Sequence, residues 1–219
     1  MVPPTTIPEG RTDRLILRPL SLEDAPQIQR LFPQWKVVKY LAAKIPWPYP
    51  SDGAEQFIRD SALPAMERGE AWHWSLRLRT DPDQVIGLIT LTLSEDENRG
   101  FWLDPNYRGH GYMTEACAWA NDFWFDKLAQ ARLRAPKAVA NRGSRRISQR
   151  MGMRVIHLEP RDYVSGRLPS EIWEITAEEW QVWKLLHPMG LAPAGKPVRA
   201  PAKSVSAARK HGSTAARPR

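Results

Sequence analysis

The 219-residue chain predicts a mixed α/β fold: one domain with a central sheet and helices on both faces. Three observations predict it. Alternating, strand-like segments come in pairs in the first half, and strand and helix patterns interleave in the second. The strand Phe101-Trp102-Leu103 runs through a two-glycine turn straight into an amphipathic helix. The length allows one domain with a proper core plus tails, and no internal repeat points to a solenoid.

The elements follow in order. Residues 11–20 alternate as a strand, with Leu15 and Leu17 on one side and Arg14, Ile16 and Arg18 on the other. Ser21-Leu22-Glu23-Asp24 offers a helix cap with acids in the first turn, and Ile28, Leu31 and Phe32 follow at helical spacing. Residues 35–50 form an aromatic, proline-rich connector with Trp35, Tyr40, Trp47 and Tyr49. Ser51-Asp52-Gly53 starts a second helix, broken or bent at Pro64. Residues 71–79 form a strand with Trp72, Trp74, Leu76 and Leu78 on one face and His73, Ser75, Arg77 and Arg79 on the other. Asp81-Pro82-Asp83 turns the chain, and residues 85–93 return as a buried strand. Asp104-Pro105 stops the strand at 101–103. The helix starting near Tyr112 sets Met113, Ala116, Cys117, Ala120 and Trp124 in one apolar stripe. A strand at 133–140, a short helix at 141–151, a strand at 154–157 and a final helix at 177–186 complete the pattern.

The turn Tyr107-Arg108-Gly109-His110-Gly111 is an anion cradle. Its glycines let the backbone approach a ligand, and the first N–H groups of the following helix lack internal partners. That geometry suits a pyrophosphate. The string Gly-x-x-x-x-Gly-Lys-Ser/Thr is absent, and Gly109-His110-Gly111-Tyr112-Met113-Thr114 lacks the third glycine of the dinucleotide fingerprint.

Arg108 to Met113 instead fits Arg/Gln-x-x-Gly-x-Gly/Ala except for Met at the last place, and so resembles the acyl-CoA loop of the GCN5-related N-acetyltransferases. The opening TDRLILRPLSLEDA, WLDPNYRGHGYMTEA, and Asn141-Arg142-Gly143-Ser144-Arg145-Arg146 followed by Met151-Gly152-Met153 are similar, in order and spacing, to the branch that includes ribosomal-protein N-terminal acetyltransferases. Ile172-Trp173-Glu174-Ile175-Thr176 sits where that branch has its last strand. The likeness covers roughly residues 11–180. It implies a twisted, mostly antiparallel sheet splayed between its fourth and fifth strands. It also implies acetyl-CoA as acyl donor, no metal, and a small-molecule or peptide amine as acceptor.

The resemblance assigns roles. The backbone of Trp102 and Leu103 would hold the thioester carbonyl. The loop Arg108, Gly109, His110, Gly111, Tyr112 and Met113 would take the pyrophosphate, with Asn141 and Ser144 near the pantetheine arm. Arg145 and Arg146 would reach the nucleotide phosphates or stand as solvated charges. Relatives of this branch place a glutamate general base where this chain has Asn98. Glu97, one residue away, Glu95 and His73 are the other candidates, and attack by an already neutral amine would also serve. A tyrosine that protonates the leaving thiolate in other branches aligns with Ser148. Trp35, Trp47, Trp72 and Trp74, with Asn98, would line the acceptor pocket, unless the tryptophans simply fill the core.

Composition bounds the rest. The formal net charge is +8, yet seven of the 32 basic residues and none of the 24 acidic ones lie beyond residue 187. The body is therefore nearly neutral. Residues 188–219 read as a disordered basic Pro/Ala-rich tail, either solubilising or in weak contact with nucleic acid. The expected organisation is an extension at 1–10, the transferase domain at 11–187, and the tail. The single cysteine, Cys117, precludes an internal disulfide and reads as a core thiol. The five histidines show no ligand spacing. No apolar run reaches the ~20 residues of a membrane span, and Met1-Val2-Pro3-Pro4 opens no secretory signal, so a cytoplasmic location is expected.

Overall fold

The computed structural model describes residues 7–187; the expected basic tail at 188–219 lies outside the described residues. Two antiparallel sheets share the fold. The first joins β1 (Gly10–Arg11), β2 (Leu15–Pro19), β3 (Ala71–Leu78), β4 (Asp81–Thr92) and β5 (Arg99–Leu103) in that order. The second has the order β6-β8-β7, from β6 (Arg132–Ala138), β7 (Arg154–Tyr163) and β8 (Gly166–Thr176). The expected central sheet is thus divided at the splay, which falls between β5 and β6.

Helices cover both faces. α1 (Ala25–Leu31), α2 (Trp35–Val38), α3 (Gly53–Phe57) and α4 (Leu63–Glu67) lie on one side. Ala25, Ile28, Val38, Ala54 and Ile58 pack there against Val85, Leu88 and Trp102. α5 (Tyr112–Asp122) lies on the other, where Cys117 and Ala120 meet Trp72, Trp74 and Leu76. α6 (Arg142–Arg150) and α7 (Ala177–Leu186) flank the second sheet. Trp180, Ile175 and Leu133 belong to the same core as Leu15 and Leu17 of the first sheet, so one apolar cluster welds the two sheets.

The helix at 53–67 is not broken at Pro64. A π-helical turn, Ile58–Ala62, joins α3 to α4 just ahead of it. Proline has no N–H for the carbonyl four residues back, and the wider turn absorbs that mismatch. β7 runs six residues further than the pattern at 154–157 suggested. It is an outer strand, where Pro160 opposite Pro169 is tolerated because one edge has no ladder to complete. The polar face of β3 is buried too. Arg77 pairs with Asp24 beneath α1 and donates to the carbonyls of Pro82 (3.1 Å) and Asp83 (2.9 Å).

Candidate active site

The two-glycine turn is held from three sides. Asp104 accepts from the Asn106 amide (3.0 Å), closing the turn after β5. Gly109 and Gly111 sit at φ 85° and 81°, a conformation L side chains rarely adopt. Gly111 then caps α5. Glu115 in the first turn of α5 would oppose an anion there, but Arg14 neutralises it. The Arg14 amide donates to Glu115 Oε1 (2.9 Å) and its guanidinium to Oε2 (2.7 Å). Arg14 Nη1 also donates to the His110 carbonyl (2.9 Å), tying β2 to the loop.

A cavity of about 530 Å³ opens from this turn toward the splay. The first turn of α5 borders it through Tyr112, Met113 and Thr114, and α6 through Ser144 and Ile147. β5 contributes Phe101, Trp102 and Leu103, and α2 with the connector contributes Val37, Tyr40 and Leu41. The basic residues around it are Lys36, Lys39, Arg108, Arg142, Arg146 and Arg150, and no acid is among the described residues that line it. A polyanionic nucleotide fits this rim. Of the loop and helix residues assigned to the cofactor, His110 and Arg145 are not at the cavity wall; the His110 ring stacks on Tyr112 instead (5.8 Å between centroids).

Arg108 does more than line the wall. It donates to the carbonyls of Leu103 (3.2 Å) and Lys36 (3.0 Å), joining the cofactor loop to α2. Burial pulls its guanidinium below the ordinary arginine value. Arg145 is turned away: it grips both oxygens of Glu171 (2.7 and 2.8 Å), which removes it from the phosphates. Arg142, Arg146 and Arg150 are the stripe of α6 that faces the cavity. Their spacing of four was a readable helical signal that the motif comparison passed over. Asn141 accepts from the Ser144 amide (3.2 Å) as the cap of α6.

The splay has an identifiable pivot. The Asn98 amide donates to the Arg134 carbonyl (2.8 Å), and Asn98 Oδ1 accepts from the Arg134 amide (2.7 Å). These bonds hold β5 and β6 together at one end; beyond them the strands belong to different sheets. Asn98 is therefore no acceptor-pocket residue. It is buried, and its side-chain amide also donates to the carbonyls of Thr92 (3.3 Å) and Ser94 (2.5 Å).

The other candidates for chemistry are scattered. His73 is buried on β3, outside the cavity wall, with Nδ1 at 2.8 Å from Thr90 Oγ1. Burial, then the nearby Lys44, pushes its pKa down to about 4, far from a base poised near neutrality. Glu97 is exposed and pairs with Arg161 (3.2 Å), and Glu95 is exposed; neither lines the cavity. Ser148 is fully buried, and its hydroxyl has no partner among the described residues. Trp72 and Trp74 are core, not pocket, because even-numbered positions of β3 face α5. Trp35 and Trp47 are exposed and lie against each other (5.6 Å) outside the cavity wall. Their neighbours Lys36, Val37 and Tyr40 reach it instead, a difference of helical phase within α2 that four residues of sequence do not reveal. Cys117 is fully buried and its thiol is pushed up by burial.

The splayed sheets, the glycine turn, the helix N-terminus and the cationic cavity together form a site suited to a polyanionic ligand. The chain belongs to the GNAT acetyltransferases: residues 14–154 match the family's Acetyltransferase (GNAT) domain. It is 30% identical over 130 residues to the uncharacterized N-acetyltransferase p20 of Bacillus licheniformis, covering 57% of this chain and 70% of that one. Among solved structures it is similar to the ribosomal-protein-S5-alanine acetyltransferase of Vibrio fischeri, with a TM-score of 0.68 and 14% identity over 80% of this chain and 99% of that one. It is also similar to Mycobacterium smegmatis RimJ in complex with CoA-disulfide, with a TM-score of 0.66 and 21% identity over 80% and 89%. Among the described residues no helix is long and apolar enough to cross a membrane.

Proposed function

We propose that the chain transfers the acetyl group of acetyl-CoA to the α-amine of a peptide or protein N-terminus. The carrying observation is that no Asp, Glu or His is among the described residues that line the cavity. An amine attacks only when neutral. Without a base in reach, the rate follows the fraction of acceptor already deprotonated. An α-amine titrates at about 7.7–8.0 and a lysine side chain at about 10.4, so near pH 7 the α-amine is about 300-fold richer in its reactive form. The basic side chains of Lys36 and Lys39 at the wall lower that amine's pKa further. Trp102 and Leu103 supply the strand edge for the thioester, on the side of β5 that faces the splay. The likeness to an acetyltransferase of a ribosomal-protein alanine supports the same acceptor class.

Calorimetry with acetyl-CoA tests the donor. Binding is expected with the parent and lost in Gly111→Asp, which sets a side chain at φ 81° and a negative charge beside the pyrophosphate. No binding at millimolar acetyl-CoA overturns the reading. A pH–rate profile on peptides tests the acceptor. The rate should rise through the α-amine's own pKa, and peptides with a blocked N-terminus and a free lysine should be at least tenfold slower. A profile already flat at pH 6.5 would place the base in the protein and remove the argument for an α-amine.

A further inference from the structure

Two buried cations lie beneath the cavity with no carboxylate of their own among the described residues. Arg99 and Lys137 are each 4% exposed. They come from the two strands of the splay, and both point toward α5. Arg99 Nη1 donates to Asn121 Oδ1 and faces the Met151 sulfur (3.7 Å), Nη2 faces the Met153 sulfur (3.3 Å), and Nε has no partner among the described residues. Lys137 Nζ stands 5.2 Å from the centre of the Phe101 ring. Phe101 lines the cavity, so a single aromatic ring separates this charge from it. α5 gives the same depth. Met113 and Thr114 line the cavity, and Cys117, which faces Lys137, lies about one turn, or ~6 Å, further along the helix.

The carboxylate directly across the ladder from Lys137 is Glu171 of β8. It is already engaged by Arg145 of α6 and by Trp173 Nε1 (2.9 Å). An uncompensated buried cation is costly, and a neutral side chain of similar length would pack there at less expense. Burial, then the charge of Arg99, brings the Lys137 pKa down from 10.5 to about 7, and the Cys117 thiol offsets this only in part. A lysine so placed needs a reason outside stability.

We propose that Lys137 is a positioning residue for acetyl transfer: its charge, with that of Arg99, stabilises the CoA thiolate as it leaves. The inference rests on acetyl-CoA being the donor. The acceptor nitrogen forms its bond to the thioester carbonyl carbon, the C–S bond breaks, and its electron pair passes to sulfur. The extra proton on nitrogen goes to solvent, and the thiolate is held by the field of the two cations across Phe101. This assigns to Lys137 the task that the sequence comparison assigned to Ser148.

The test follows the ionisation of the CoA thiol itself, using the full chain saturated with CoA. Thiolate absorbance near 240 nm is read between pH 6 and 9.5 with ligand-free protein subtracted, which removes the contribution of Cys117. Lys137 holds its proton mainly below about pH 7, so between pH 6 and 7 bound CoA is expected to carry about tenfold more thiolate than free CoA in the same buffer, a shift of about one unit that shrinks above pH 7. Lys137→Arg should keep that shift. Lys137→Met and Lys137→Gln should lose most of it while melting at or above the parent temperature. If CoA binds but ionises as it does in solution, or if the shift survives in both uncharged variants, the proposal falls. If both uncharged variants bind CoA poorly because they are misfolded, loss of the shift in the well-folded Lys137→Arg variant also overturns it. If CoA does not bind the parent at all, the donor assignment fails and this inference with it.

Discussion

His73 shows how one side chain changes meaning with burial. An exposed histidine on a strand would titrate near 6.5 and serve as a base. Here it is buried against Thr90 with the Phe57 ring edge-on at 5.7 Å, and its pKa falls to about 4. The folded state therefore binds fewer protons than the unfolded state between pH 4 and 6.5. Stability from this residue is complete above pH 6.5 and is lost as pH falls toward 4, by up to about 3 kcal/mol. Replacing it with an isosteric, non-titrating group should flatten that part of the curve. In urea melts from pH 4 to 7, the difference between the parent and His73→Asn should shrink as pH falls, because only in the parent does the unfolded chain bind a proton that the folded state excludes. The acetylation rate of His73→Asn at pH 7.5 should stay within threefold of the parent. A hundredfold loss would restore histidine as the base.

At the scale of elements, the splay depends on a pivot and on a close approach. β4 and β5 pair directly at Gly87 and Leu103, where an added Cβ on Gly87 would lie 2.5 Å from the Trp102 carbonyl. Only glycine lets β5 lie at this depth beside the cavity. The pivot is Asn98, whose side chain both accepts and donates. Asn98→Asp keeps the bond from the Arg134 amide but sets a carboxylate against the carbonyls of Thr92 and Ser94. Two lost donors and a repulsion in a buried place are expected to cost about 1–3 kcal/mol in chemical denaturation. Acetyl-CoA affinity should fall with stability in this variant, since the cavity narrows or widens with the angle between the sheets. Unchanged stability in Asn98→Asp would show that β5 and β6 are held by something else.

At the scale of the whole molecule, one apolar cluster is shared by the two sheets, and a second lies between α1–α4 and the other face of the first sheet. Leu17 and Trp74 of the first sheet and Leu133 and Ile175 of the second belong to a single buried cluster, and α5 lies within it. Among the described residues the second sheet has no apolar cluster apart from the shared one, so it should unfold with the first, and far-ultraviolet circular dichroism and tryptophan fluorescence should report one coincident transition. Acetyl-CoA binds across both sheets in the proposed pose, so it should move that transition as a unit. At 100 times its dissociation constant the gain is about 2.7 kcal/mol. Two separated transitions, with only one responding to acetyl-CoA, would contradict the shared core. The connector adds a second tie between the sheets: the Ala43 amide donates to Asp162 (3.2 Å) and the Val164 amide to Leu41 (3.0 Å), beside the Arg108 bond to Lys36.

Local order was legible in the amino-acid sequence itself. The two-residue period of 71–79, the glycines at 109 and 111 and the apolar stripe of α5 are short-range facts, because backbone sterics and side-chain spacing act within a few residues. They determined the strand–turn–helix unit, the anion cradle and the family resemblance. The division of the sheet at Asn98, the covering of His73, the capture of Arg145 by Glu171 and the burial of Lys137 beneath Phe101 were decided only by tertiary structure. Each depends on which distant segment arrives against a given face. A charged residue in a strand reads the same in sequence whether a helix or water lies over it, and burial then sets both its partners and its proton affinity.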